Sequence, residues 1–239
     1  MSPRLFFVAF LSFGSLNVSS AQEAPARVAW APSDTGSCTR CALTGHDLSG
    51  WSISNGDYAG ADLSGANLYR LSAEGANLDG VTAISADFRK AKLDRANLEG
   101  ADLSGALLSN ASLLGANLDQ AVIHTAKLHD AVLIGASLTG ADMMSANASR
   151  ADFSGANLTG ASFASASLPE ARFDNAVLVG TSFVDADLTN GKFRGTRLID
   201  VNLSRIEGAD TLDLDGSCAD DLTQLPDTIR LPACEMIQN

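Results

Sequence analysis

Residues 86–105 read Ala-Asp-Phe-Arg-Lys, Ala-Lys-Leu-Asp-Arg, Ala-Asn-Leu-Glu-Gly, Ala-Asp-Leu-Ser-Gly: four successive five-residue phrases, each with alanine first and a large apolar residue third. Followed outward in both directions, the phrase runs from Cys41 to Arg205 without a slip of register. Every fifth residue from Leu43 to Leu203 is apolar, 33 positions in succession, and the residue two before it is alanine at all 19 positions from Ala86 to Ala176. A period this regular outranks other local signals, because it means that one small unit is stacked many times.

Within a unit, two apolar residues flank one polar residue, as in Ala101-Asp102-Leu103. That is the alternation of a short strand with one buried face. The two residues that follow are small and polar, and 15 of the 21 glycines fall on the second of them, which marks a turn at the end of each unit. A period of five smears apolar residues around a helical wheel of 3.6, so an amphipathic helix is excluded. Three-residue strands joined by corners bury their apolar face only by coiling and stacking.

In these units, from Cys41 to Arg205, the chain resembles the pentapeptide repeat family. The resemblance implies an all-β fold, a right-handed quadrilateral β-helix with four units per coil. Thirty-three units make about eight coils, and at a coil spacing of ~4.8 Å the rod is about 40 Å long. The period of one coil then sorts side chains onto faces. Asn77, Asn97, Asn117 and Asn157, with Ser137 between, predict an outward amide ladder. Phe153, Phe173 and Phe193 stack on one inner face, and Phe163 with Phe183 on the opposite one. Ala73, Ala83 and Ala148 take the large apolar position and predict slack. His46 takes an inward position in the first coil and is expected to be buried as a satisfied core or capping histidine.

The domain organisation reads as a signal peptide over 1–21, an N-terminal cap or linker over 22–40, the repeat array over 41–205 and an acidic C-terminal cap over 206–239. Arg4, the apolar run Leu5–Leu16 and Ser19-Ser20-Ala21 have the order of a secretory signal, and the run falls short of the ~20 residues that span a bilayer. With no cysteine after the cleavage point, no lipid anchor is expected; the chain is expected to be exported, periplasmic or secreted. Four cysteines in an exported chain suggest disulfides. If the array is a rigid rod, Cys38 and Cys41 at its head are too far from Cys218 and Cys234 beyond its foot to bridge. Only Cys38–Cys41 and Cys218–Cys234 then remain. A redox role for Cys38-Thr-Arg-Cys41 lacks a surrounding βαβ pattern, haem attachment lacks a following histidine, and zinc has only His46 to add. An open end of such a rod exposes strand edges; 22–40 with Trp30 is expected to cover the head and Leu212–Cys234 the foot. The resemblance offers homodimer formation through one end as the alternative.

The array holds 18 acids against 12 bases, a net of −6, whereas the tail from Ile206 holds eight acids against Arg230 alone, a net of −7. Sorted by face, the Leu63 face carries −3 and the adjoining Leu78 face −4; the Leu68 face is neutral and the Leu93 face +1. The resemblance also brings the family's DNA-mimicking, gyrase-binding activity into view. That activity requires dense negative charge and a cytoplasmic target, and it stands second to a non-enzymatic module that binds a protein or serves a structural role. A thiol-redox function of Cys38 and Cys41 stands third. No nucleophile elbow, phosphate loop or zinc-protease motif is present in the sequence, and no cofactor, metal or nucleic acid is implied. His124 and His129, five apart on adjacent faces, lack a third ligand at suitable spacing. Asp62, Asp102 and Asp142 recur only every second coil, too wide for a catalytic pair. The candidate partner surface is Leu114 and Ile134, stacked on successive coils, with Val132 beside them; Val177, Val179 and Ile199 form a second outward apolar cluster.

Overall fold

The computed structural model describes residues 38–234. The expected signal peptide and all but the last three residues of the expected N-terminal cap lie outside the described residues, as do 235–239. Every fifth residue from Arg40 to Arg205 has a positive φ, between 54° and 69°, and more than half of these residues are not glycine. Each is a left-handed corner, and four corners close one coil of a right-handed quadrilateral β-helix.

Between corners the chain is extended only briefly, so most of its backbone groups are satisfied from neighbouring coils; the first N–H of a unit instead closes the corner within the coil, as Ala101 does onto the Leu98 carbonyl (3.1 Å). Asp62 shows the rule. Its N–H donates to the Cys41 carbonyl (2.8 Å) and its carbonyl accepts from the Leu43 N–H (2.7 Å). Asp102 repeats the pair with Val81 and Ala83. Parallel bridges at a step of one coil run in this way from Ala42–Asp62 to Asp187–Glu207. Three segments lengthen into strands, β1 (Val177–Val179), β2 (Arg197–Ile199) and β3 (Cys218–Ala219), which form one parallel sheet in that order.

Pairing does not stop at Arg205. Lys192 pairs with Asp213 and Asn202 with Gln224, so the step between partners lengthens, first by one and then by two, in a last, distended coil. The first extra residue enters around the 3-10 turn Ala209–Thr211. Gly208 precedes it at φ 77°, where any side chain would collide with the Thr189 backbone. The chain then crosses back, Ala219 pairing with Ala233 and Cys218 with Cys234 (Cα–Cα 4.8 Å). At the head, Cys38 is paired with Cys41 (Cα–Cα 5.5 Å).

The inward positions form one continuous core. Phe153, Phe173 and Phe193 stack at 5.0 and 4.8 Å, Phe163 and Phe183 stack at 5.0 Å, and the two columns meet edge to face at 5.3–5.8 Å. Both geometries suit the ring quadrupole. Ala73, Ala83 and Ala148 are fully buried. Where Thr181 and Thr196 replace alanine, their hydroxyls donate to the Leu158 and Phe193 carbonyls, and Ser217 joins the latter. The Tyr58 hydroxyl is buried without a partner, and desolvation raises its pKa.

Two expectations are corrected. His46 is only half-buried, with Nδ1 3.1 Å from the Thr44 carbonyl, because little stands above the head coil among the described residues. The amide ladder runs from Asp57 through Asn77 and Asn97 to Asn117 and stops there. Ser137 is too short to reach an amide one coil away and donates to Asp119, while Asn157 turns to Thr139 (3.1 Å).

Replacing Leu103 with Ala should lower unfolding free energy by about 2–5 kcal/mol, as read from denaturant melts. Tyr58→Phe should instead raise stability by about 1 kcal/mol, since it removes a buried, unpaired hydroxyl and keeps the ring.

Candidate functional site

Because the core is uniform along the rod, chemistry resides in the outward residues and the corners. The two cysteine pairs stand at opposite ends. His124 and His129 do not converge. His124 Nε2 lies 2.6 Å from Asp142, whereas His129 is held by Ser149 (2.7 Å) and sits beside Asp130 (3.0 Å) and Arg150 (2.8 Å). Each histidine is engaged by the coil that follows it. Among the described residues, no three His, Cys, Asp or Glu side chains come together as a metal site.

The charges divide the rod lengthwise. Ten of the 12 array bases stand on the Leu68 and Leu93 faces, where many neutralise acids of the same half: Arg89 with Asp87, Arg150 with Asp130, and Arg172 with Asp152 and Asp174. The Leu63 and Leu78 faces adjoin and differ. From Asp57 to Ser165 they carry seven carboxylates (Asp57, Asp62, Asp79, Glu99, Asp102, Asp119, Asp142) and no lysine or arginine. Asp79 and Glu99 are exposed and stand beside corners, Gly80 and Gly100, that bear no side chain.

Leu114 and Ile134 are each exposed, at 40% and 42%, and sit on successive coils joined by the Gly115 N–H and the Ile134 carbonyl (3.0 Å). Val132 is half-buried beside them. This apolar group lies on the Leu93 face at the corner that leads to Asn117 and Asp119, so it borders the acidic side. Val177 and Val179 are exposed and, with Ile199 and Arg197, line a groove of about 200 Å³. Ile84 and Met144, exposed on the Leu63 face, were not singled out from the sequence, although both are apolar residues at the same outward corner position as Leu114.

Several carboxyls ionise more readily here than in an unfolded chain. Hydrogen bonds from Ser64 lower Asp62, and hydrogen bonds from Arg89, Arg150 and Arg194 lower Asp87, Asp130 and Asp213. The Asp200 N–H and the Thr223 hydroxyl do the same for Asp220 at the foot.

Among known families, the model of pentapeptide repeats matches in eight copies, over residues 47–82, 61–100, 86–124, 126–164 and 166–205. Similar solved structures include HetL of Nostoc sp. strain PCC 7120, a pentapeptide repeat protein involved in heterocyst differentiation regulation. It is 28% identical over 80% of this chain and 87% of that one, with a TM-score of 0.37. A trypsin-treated form of the plasmid-mediated fluoroquinolone resistance protein QnrB1 is 24% identical over 77% and 89%, with a TM-score of 0.48. A thylakoid-lumen pentapeptide repeat protein of Arabidopsis thaliana is 31% identical over 52% and 69%, with a TM-score of 0.23. No curated protein matches the chain.

The lowered carboxyls set the acid limit of stability. Their stabilisation is fully present above the unfolded value of about 3.9 and is lost as pH falls through the lower folded values. The melting temperature should therefore stay level down to about pH 5 and fall below about pH 4, and Asp130→Asn should make that fall shallower in a pH series of thermal melts.

Proposed function

The chain belongs to the pentapeptide repeat family, and from that premise we propose that it is an exported, non-enzymatic rod that binds a protein partner of basic surface along its acidic side. The observation that carries this reading is the lengthwise division of charge. Seven carboxylates across five coils meet no lysine or arginine on their own two faces, only His124 beside Asp142, while the other half of the rod pairs many of its acids internally. Uncompensated charge of one sign along a rigid surface steers a partner of the other sign and sets its orientation. Leu114 and Ile134, with Val132, supply the apolar element beside it. Buried aliphatic contacts at the edge of a charged surface contribute affinity that screened charges alone do not.

Export is supported by the order of basic, apolar and small residues in 1–21 and by the two cysteine pairs, which persist in an oxidising compartment. The segments 22–40 and 206–239 serve as end pieces of the rod in this reading, with 41–205 as the binding body.

The test is capture of proteins from an envelope extract, identified by mass spectrometry, with the wild type compared against Asp79→Lys/Glu99→Lys and against Ile134→Asp. The charge reversal should cut capture of a basic partner at least about tenfold, and raised salt should do the same to the wild type, both without a change in melting temperature. Ile134→Asp should weaken capture while keeping the β circular dichroism signal. A captured partner that is acidic, or capture indifferent to salt and to both variants, would sink the proposal.

A further inference from the structure

The foot of the rod closes its core but leaves part of its backbone open. On the Leu93 face, one coil above the last, the Gly191 carbonyl accepts from the Asp213 N–H (2.9 Å). The Phe193 N–H donates to the Asp213 carbonyl (2.8 Å) and the Gly195 N–H to the Asp215 carbonyl (2.9 Å). The equivalent groups of the last coil are the Leu212 carbonyl and the N–H groups of Leu214 and Gly216. None of the three has a hydrogen-bond partner among the described residues. The tail turns away from them instead. The Ile229 N–H closes a turn onto the Pro226 carbonyl (3.0 Å), Leu225 and Leu231 pack against the core, and pairing returns only where Ala219 meets Ala233. A groove of about 620 Å³ remains beside the open edge, lined by 214–218 and 228–232 with Ala209, Asp210 and Leu212.

The side chains along this edge define what fits it. Leu212 and Leu214 hold the two inward positions of their unit and are half-buried, so a strand laid below would seat every second residue on them. The outward columns of the same face change sign as they descend. Asp152 pairs with Arg172 one coil below (3.4 Å), and the adjoining column reads Asp174, Arg194, Asp215. Arg194 is drawn to Asp213 (2.6 Å), and Asp215 is exposed with no ion pair among the described residues. A base is the next charge that each column calls for. Arg230, the one base lining the groove, donates to the Ile229 carbonyl (2.8 Å).

We propose that this edge is a second binding site, separate from the acidic side of the rod, which takes an extended basic segment of a partner protein as an added parallel strand. The segment alternates apolar residues, seated on Leu212 and Leu214, with lysine or arginine beneath Asp213 and Asp215. Its residue below Asp213 donates to the Leu212 carbonyl and accepts from the Leu214 N–H, as Asp62 does with Cys41 and Leu43. Its residue below Asp215 accepts from the Gly216 N–H. Main-chain bonds hold a strand added in this way, and the alternate side chains select it. A second foot suits the edge less well. It would bring the seven carboxylates and single arginine of its own 206–234 against the same charges.

The test adds a fluorescein-labelled synthetic peptide, Gly-Ser-Val-Lys-Val-Lys-Ser-Gly, to the full chain and reads anisotropy and site-resolved hydrogen exchange. The peptide should bind saturably and slow exchange of the Leu214 and Gly216 amides at least about tenfold. Glutamate in place of both lysines, or a methyl group on the backbone nitrogen of the first, should each weaken binding at least about tenfold. Asp215→Lys should weaken the lysine peptide and strengthen the glutamate one at an unchanged melting temperature. Asp79→Lys/Glu99→Lys should leave both peptides as in the wild type. Absence of saturable binding would overturn the proposal, as would equal affinity for the methylated peptide. So would binding lost in Asp79→Lys/Glu99→Lys and kept in Asp215→Lys, which would assign the peptide to the acidic side. Leu214 and Gly216 amides already protected in the free chain would overturn it too, and protection that vanishes on dilution would give the edge to a second copy.

Discussion

A left-handed residue at every fifth position is the constraint from which the rest follows. It keeps each extended segment too short to pair with another strand of the same coil. Apart from the short bond that closes each corner, the backbone donors and acceptors of those segments look up or down the rod, and the regular step of the ladder from coil to coil is a direct result. More than half of the corners bear a side chain in a conformation that disfavours it by roughly 1 kcal/mol or more. The array tolerates them because each corner is held between coils that cannot move apart without breaking several hydrogen bonds. Stability here is a property of interfaces between coils, as expected for a quasi-one-dimensional fold.

The same constraint separates the two faces of every unit. Inward alanine and leucine are repeated with little variation, and the aromatic columns from Phe153 to Phe193 thicken the core without altering its outline. Outward positions are then free of packing demands. Carboxylates can accumulate on the Leu63 and Leu78 faces while bases gather opposite, because neither arrangement disturbs the interior. The functional surface and the folding unit share a backbone but few side-chain requirements.

That separation explains what could be read from the sequence. The corners follow from spacing alone; the inward columns and both phenylalanine stacks follow once the resemblance sets four units per coil, since residues one coil apart then share a face. So do the charge of each face and the exposure of Leu114 and Ile134. What depended on side-chain reach was not legible. Ser137 and Asn157 occupy the ladder column, yet a hydroxymethyl group cannot span a coil step, so the amide chain ends at Asn117. His46 keeps the inward register but lies in a coil with little above it among the described residues. The distended coil after Arg205 was hidden because insertions at Gly208 and beyond erase the period without ending the pairing. Ile84 and Met144 escaped because Ser104 and His124 stand between them in their column, so neither has a large apolar neighbour one coil away.

A four-cornered coil built from identical short units makes the rod behave like a combination lock. Insertion or loss of four units changes its length by one coil and leaves every face aligned. A change of a single unit instead turns all that follows through a quarter revolution. Between Leu93 and Leu138 such a shift would carry one of the two acidic faces onto the basic half while the leucine interior closed as before. Within Phe153–Phe193 it would set rings beneath leucines and break both stacks. The upper array is thus where new surfaces can arise by slippage of the repeat, and the phenylalanine segment is where the setting is locked.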